Sequence, residues 1–408
     1  MKPIVKDTLW MMLSHLLSRG GLVICSILIS KYFNVISFSN YSYFILTVTT
    51  IANYSALGIG VTTTKFYAKI FENIYSSPVL SLGLLSLIFS FVGAFLFFYF
   101  SNLIVPTNIS IDEKIMAYAI FFMCLDVYAS NALIGLQKIK ALFVGSLFSA
   151  IINLIAVITS ILTKEINYSI VGILISVAGQ FYLNLFMLYK YIIRNELRKI
   201  LKIRLEHIFL IINTIGPMMF VSLIAASGIW VIGKFILLQS VNSMENFALF
   251  SIGLQWYSLA LFIPTMLSKV ILPYLFKSKN EDYTVVLRSN CMIIMIFCLF
   301  LAMVAYFVHP YIIIFYKGVY SFSPFYIPLF LILAGISACC NIMGNVIIAS
   351  NREYTWLSIV LITFMVLIFI CYLFKNIGSY LGVLALGVSN FTMLTIIIFV
   401  LNKRISKL

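Results

Sequence analysis

YKYIIRNELRKILKIRLEH, residues 189–207, is the basic stretch of a chain that otherwise avoids charge, and it holds six of the 27 lysines and arginines. Isoleucine and leucine recur in it at helical spacing, so it reads as a short amphipathic connector. On either side lie apolar runs with short connections. Of 408 residues, 63% are hydrophobic and only 10% charged. So little charge cannot cover a soluble fold of this size, and the composition is that of a polytopic membrane protein.

Runs long enough to cross a hydrocarbon core, about 20 residues each, number twelve. They fall at 8–30, 40–64, 79–101, 114–136, 141–163 and 168–190, then at 208–233, 246–270, 287–309, 325–350, 355–374 and 379–401. The basic stretch divides them six and six: a first lobe over 1–190, a linker over 191–207 and a second lobe over 208–408. With the N-terminus in the cytoplasm, 20 of the 27 cationic residues fall on inner segments, six on outer ones, and Arg19 on neither. That bias predicts an N-in, C-in topology. It also accounts for the net charge of +15 without nucleic acid, because basic loops face the anionic leaflet. The N-terminal run is too long for a signal-peptide core and reads as a retained span. All seven cysteines lie in apolar segments, against a disulfide framework or thiolate metal site.

Arg19 lies midway along the first span. Thr8, His15, Arg19, Ser26 and Ser30 are spaced 7, 4, 7 and 4 apart, one face of a regular helix. The second span repeats the spacing with Ser42, Thr49, Asn53, Gly60 and Thr64, so the two helices are expected to line one aqueous cavity. Asp126 is the midpoint of the fourth span, bracketed by Lys114 and Lys138. A central Arg or Asp costs about 2.5 to 3.5 kcal/mol to insert, which argues for a function. A direct Arg19–Asp126 ion pair is the competing account. In the second half, Gln255 and Lys269 share a face of the eighth span, Asn341 and Asn345 one of the tenth, and Lys234 lies at an outer end. Polar residues in such stripes often serve as interhelical hydrogen bonds, and Lys65, Lys234 and Lys269 lie near enough to span ends to reach the headgroups. Gly216-Pro217 and Pro264 should bend the seventh and eighth spans and are the candidate hinges.

The halves are weakly similar at an offset of 206: SFSNYSYF, 37–44, lies opposite SMENFALF, 243–250. With six spans each, they share one orientation and are related by an axis along the membrane normal. The residue opposite Arg19 is Ala225. Scattered histidines (15, 207 and 309) and the absence of HExxH, CxxC, Walker and GxSxG patterns leave no expected metal, cofactor or enzymatic activity. The longest outer connection, about 310–324, is small for a membrane polysaccharide polymerase.

Four segments carry a resemblance: ALGIGVTTTKFYAK (56–69), NTIGPMMF (213–220), FSIGLQWYSLALFIPTMLSKVILPYL (250–275) and MGNVIIASNREYTWL (343–357). Together the chain resembles the Wzx-type O-antigen flippases of the multidrug/oligosaccharidyl-lipid/polysaccharide exporter (MOP) superfamily. The resemblance implies a V-shaped, pseudo-two-fold MATE-like fold in a bacterial inner membrane. It implies movement of undecaprenyl-diphosphate-linked oligosaccharide units to the periplasmic leaflet by alternating access, coupled to H+ or Na+. Polymerase and chain-length proteins of the same pathway are then the expected partners. Under this reading, Arg19 contacts the diphosphate, its planar donor fork suiting phosphate oxygens. His15, Asn53, Lys65, Lys234, Gln255, Lys269, Asn341 and Asn345 are the other substrate candidates, and Asp126 is the coupling or gating carboxylate. The alternatives are a peptidoglycan-precursor flippase, a drug/cation antiporter or, with less support, a polymerase.

Overall fold

A computed structural model describes residues 10–14, 16–56, 58–68, 79–194, 224, 227–277, 283–316, 322–349 and 352–405. Among them every regular element is a helix. The first half contains α1 (Trp10–Tyr32), α2 (Val35–Ala56), α3 (Ile59–Ala68), α4 (Val79–Tyr99), α5 (Ser101–Ile104), α6 (Glu113–Gly135), α7 (Ile139–Thr163) and α8 (Asn167–Arg194). The second contains α9 (Ser227–Gln239), α10 (Ser243–Lys277), α11 (Tyr283–Phe307), α12 (His309–Phe315), α13 (Tyr326–Ala349), α14 (Glu353–Leu373) and α15 (Tyr380–Ile405).

Ten helices among the described residues are long and apolar enough to cross a membrane, and they coincide with the first six and last four expected spans. α10 occupies the place of the eighth and, at 35 residues, is about 52 Å long. It runs as one helix through Pro264, the expected hinge. Most of the seventh expected span, including Gly216 and Pro217, lies outside the described residues, as does 195–207 of the basic connector.

Two local departures from regular helix change the expected polar faces. Leu16–Gly20 of α1 forms a π-turn, which places an extra residue in the turn around Arg19. Each residue turns the helix by about 100°, so positions before and after the π-turn do not keep the single face that a 3.6-residue count assigns them. The second expected span is divided into α2 and α3 near Gly58, whose φ of 75° is the left-handed conformation that glycine takes without a Cβ clash. Ser42, Thr49 and Asn53 therefore belong to one helix, and Gly60 and Thr64 to the next.

The chain divides into two compact units on either side of Ala226. Each is built around the helix at the place of its fourth expected span. In the first unit α6 packs on α2, α3, α4 and α8, while α7 packs on α8 and α1. In the second, α13 packs on α10, α11 and α15, and α14 on α15. Second, third and sixth helices thus surround the fourth in both halves, and fifth pairs with sixth, so the weak sequence repeat is matched by a repeat of packing. Elsewhere the helices present apolar faces outward, such as Leu87, Phe91 and Phe95 on α4 or Ile293, Ile296 and Phe300 on α11. Such faces suit lipid contact.

Candidate functional site

The polar interior of the first unit centres on Asp126. The α6 sequence places it at mid-helix, turned toward α8, where Gln180 and Asn184 sit one turn apart on a common face. Asn184 Nδ2 donates to Asp126 Oδ1 at 2.7 Å and Gln180 Nε2 to Oδ2 at 3.1 Å. Both carboxylate oxygens thereby accept from primary amides, which satisfies a part-buried acceptor. The Asp126 carbonyl also accepts from Ser130 Oγ at 2.6 Å.

Close approach of α7 makes the clamp tight. Gly145 of α7 faces Asn184, and a Cβ there would lie 2.5 Å from Asn184 Oδ1. The neighbouring Ser146 shares a 2.8 Å hydroxyl bond with Ser14 of α1, and Trp10 meets Phe143 edge-on with ring centroids 4.9 Å apart. Through α7, the helix that carries Arg19 is therefore packed one layer from the Asp126 clamp. A second polar cluster lies between α3 and α6: Thr64 Oγ1 donates to Asn131 Oδ1 at 3.2 Å, and the hydroxyls of Tyr67 and Tyr128 meet at 2.8 Å.

In the second unit, Gln255 is buried on α10 and accepts from the Tyr316 hydroxyl at 3.3 Å. Two residues on, Tyr257 is buried in the same helix. Lys234 of α9 places its Nζ over the Trp230 ring, 5.1 Å from the centroid, a cation–π contact.

Of the sequence candidates, Asp126, Gln255 and Lys234 thus have described partners, whereas Asn53 on α2 and Asn341 on α13 are exposed. Exposed asparagines on helices otherwise this buried are poor lipid contacts, because an unpaired amide in hydrocarbon is costly. His15, Gly216 and Pro217 lie outside the described residues, as do the side chains of Arg19, Lys65, Lys269 and Asn345. The partners that the structure shows for Asp126 are Gln180 and Asn184, which the sequence reading did not single out. Their signal was present: Ser169, Ser176, Gln180 and Asn184, spaced 7, 4 and 4, form a polar stripe along an apolar helix.

No protein-family model matches the sequence, and no curated protein does. Solved structures do match over nearly the whole chain. An Asp-to-Asn mutant of the Vibrio cholerae MATE transporter VcmN superposes with a TM-score of 0.70 at 15% identity, covering 98% of this chain and 97% of that one. A multidrug resistance MATE family transporter of the MOP superfamily, in an outward-facing conformation, gives 0.72 at 12% identity, over 99% and 95%. A MOP superfamily transporter from Pyrococcus furiosus, described as having a binding pocket of reverse polarity that suggests a different function, gives 0.69 at 14% identity, over 99% and 95%. At this identity the likeness is one of fold, and the chain has the all-helical membrane architecture of the MATE transporters of the MOP superfamily.

Proposed function

We propose that this protein is a flippase for lipid-linked oligosaccharide, carrying undecaprenyl-diphosphate-linked repeat units of a surface polysaccharide such as O-antigen across a bacterial inner membrane. In this reading it has twelve spans, N-in and C-in, with lobes over 1–190 and 208–408 joined by the basic segment 191–207. The observation that carries it is a fixed positive charge at mid-span: Arg19, whose backbone lies in the π-turn of α1. A guanidinium there suits an anionic diphosphate and repels a cationic drug. The Pyrococcus furiosus relative in fold supports the principle that pocket polarity varies within this architecture. Asn53, Gln255, Asn341 and Asn345 suit sugar hydroxyls, with His15, Lys65, Lys234 and Lys269 as further donors. Asp126 serves as the carboxylate that couples transport to H+ or Na+.

The test is deletion of the gene, followed by assay of surface polysaccharide and of the leaflet in which the lipid-linked units reside. The expected result is loss of polysaccharide with units retained on the cytoplasmic face. Units that reach the periplasmic face yet stay unpolymerised would point instead to a polymerase. One observation favours a second reading, a drug/cation antiporter: the half-buried carboxylate Asp126, a natural partner for a cation, in a fold shared with multidrug transporters. Lost efflux of cationic dyes with normal polysaccharide would select that reading.

A further inference from the structure

After the helix of its third expected span, each unit continues as a short helix that is tied to the helix of the second. In the first unit, α5 follows α4 directly, and Tyr43 of α2 donates its hydroxyl to the Ile104 carbonyl at 2.8 Å. In the second, α12 follows α11, and Tyr316, just past its C-terminus, donates to Gln255 of α10. The 206-residue offset permits a comparison of depth. It sets Tyr43 opposite Leu249 and Ile104 opposite Pro310. Gln255 and Tyr316 each lie six residues beyond these counterparts, so both ends of the second tie are displaced by the same helical rise, about 9 Å.

The base of this segment is fixed as well. His309 Nε2 donates to the Phe322 carbonyl at 2.9 Å, which ties the start of α12 to the chain ahead of α13, while Tyr316 is fully buried. His309, Ile312 and Tyr316 are buried, the last fully, and Tyr311 and Ile314 between them are more than two-thirds exposed. α12 is thus amphipathic, with its inner face against the bundle. Gln255 lies twelve residues into α10, about 18 Å from the Ser243 end.

We propose that α12 and Tyr316 form a latch that dips into the second unit from the Ser243 end of α10. The Tyr316–Gln255 hydrogen bond holds it shut over the polar stretch of α10. Opening it exposes Ser251 and Gln255 to the aqueous phase from that end. Under the N-in topology this is the periplasmic side, and only that assignment rests on the function proposed above. The latch itself follows from contacts within one unit.

The experiment uses the full-length protein in detergent, so it needs neither a substrate nor a known topology. Ser251→Cys, one turn from Gln255 and buried, is the reporter, and a charged, water-soluble methanethiosulfonate is the probe. The unsubstituted protein, whose seven native cysteines are buried, is the blank. Tyr316→Phe keeps the ring and removes only the hydroxyl. It should raise the labelling rate of Cys at position 251 at least about fivefold, the population shift from loss of one neutral hydrogen bond. Gln255→Met should raise it as well, and the two changes together should give less than the product of the single effects. An unchanged rate in Tyr316→Phe overturns the latch, and so do effects of the two changes that multiply. If labelling behaves as expected while polysaccharide export is absent from the organism's phenotype, the latch stands and the cargo assignment falls.

Discussion

Gly145→Ala is the sharpest test of the Asp126 clamp. The added Cβ would meet Asn184 Oδ1 at 2.5 Å and Cγ at 3.2 Å. Asn184 is fully buried, so its amide has no free space to enter. Either α7 and α8 separate or the amide leaves Asp126. Overpacking of this kind costs about 1 to 3 kcal/mol. Loss of the 2.7 Å amide–carboxylate bond adds about 1 to 3. Alanine returns about 1 kcal/mol in helix propensity. The net expectation is destabilisation of about 1 to 5 kcal/mol, seen as a lower unfolding temperature of the purified protein in detergent. The discriminating step is the Asn184→Ala background, where no amide remains to be displaced. There Gly145→Ala should be neutral or mildly stabilising. An equal penalty in both backgrounds would mean that the cost arises elsewhere on α7, and the clamp argument would be refuted.

Asp126→Asn should leave folding intact but abolish the dependence of transport on an ion gradient, measured in proteoliposomes; activity that stays gradient-dependent rules Asp126 out as the coupling group. Arg19→Ala should abolish export while the protein still reaches the membrane, and Arg19→Lys should retain part of it, read as surface polysaccharide in a complemented deletion strain. Full export in Arg19→Ala would remove the diphosphate role. Tyr67→Phe, which deletes a hydroxyl bonded at 2.8 Å to Tyr128, should cost about 1 kcal/mol in thermal unfolding, and a variant as stable as the parent would show that the bond contributes no net stability.

Hydropathy placed the long helices well, because it is a local property that twenty residues report by themselves. α6 was expected at 114–136 and spans Glu113–Gly135; α7 was expected at 141–163 and spans Ile139–Thr163. What escaped was whatever depends on backbone irregularity or on which helices are neighbours. The π-turn at Leu16–Gly20 has no distinctive composition, so a regular spacing was carried through it. The break near Gly58 has a visible sign in Gly58 and Gly60, but glycine is common in membrane helices, and hydropathy alone does not separate the two helices. Asp126 stood out as a lone carboxylate. Its partners did not, because a sequence does not reveal which helix a lone carboxylate faces, here α8.

The clamp has a consequence that stems from the chemistry of primary amides. Gln180 and Asn184 each carry a donor end and an acceptor end on one planar group. While Asp126 is a carboxylate, their NH2 ends face it. If it takes up a proton, a half-turn of one amide about its last torsion presents a carbonyl oxygen to the new O–H. The bond count is then preserved with every helix in place. Asp126 can therefore change its proton occupancy at little structural expense, and the event would be visible first in carboxyl infrared bands and side-chain amide resonances. Methods that follow helix positions would register it only if the change were passed on through the tight contact at Gly145.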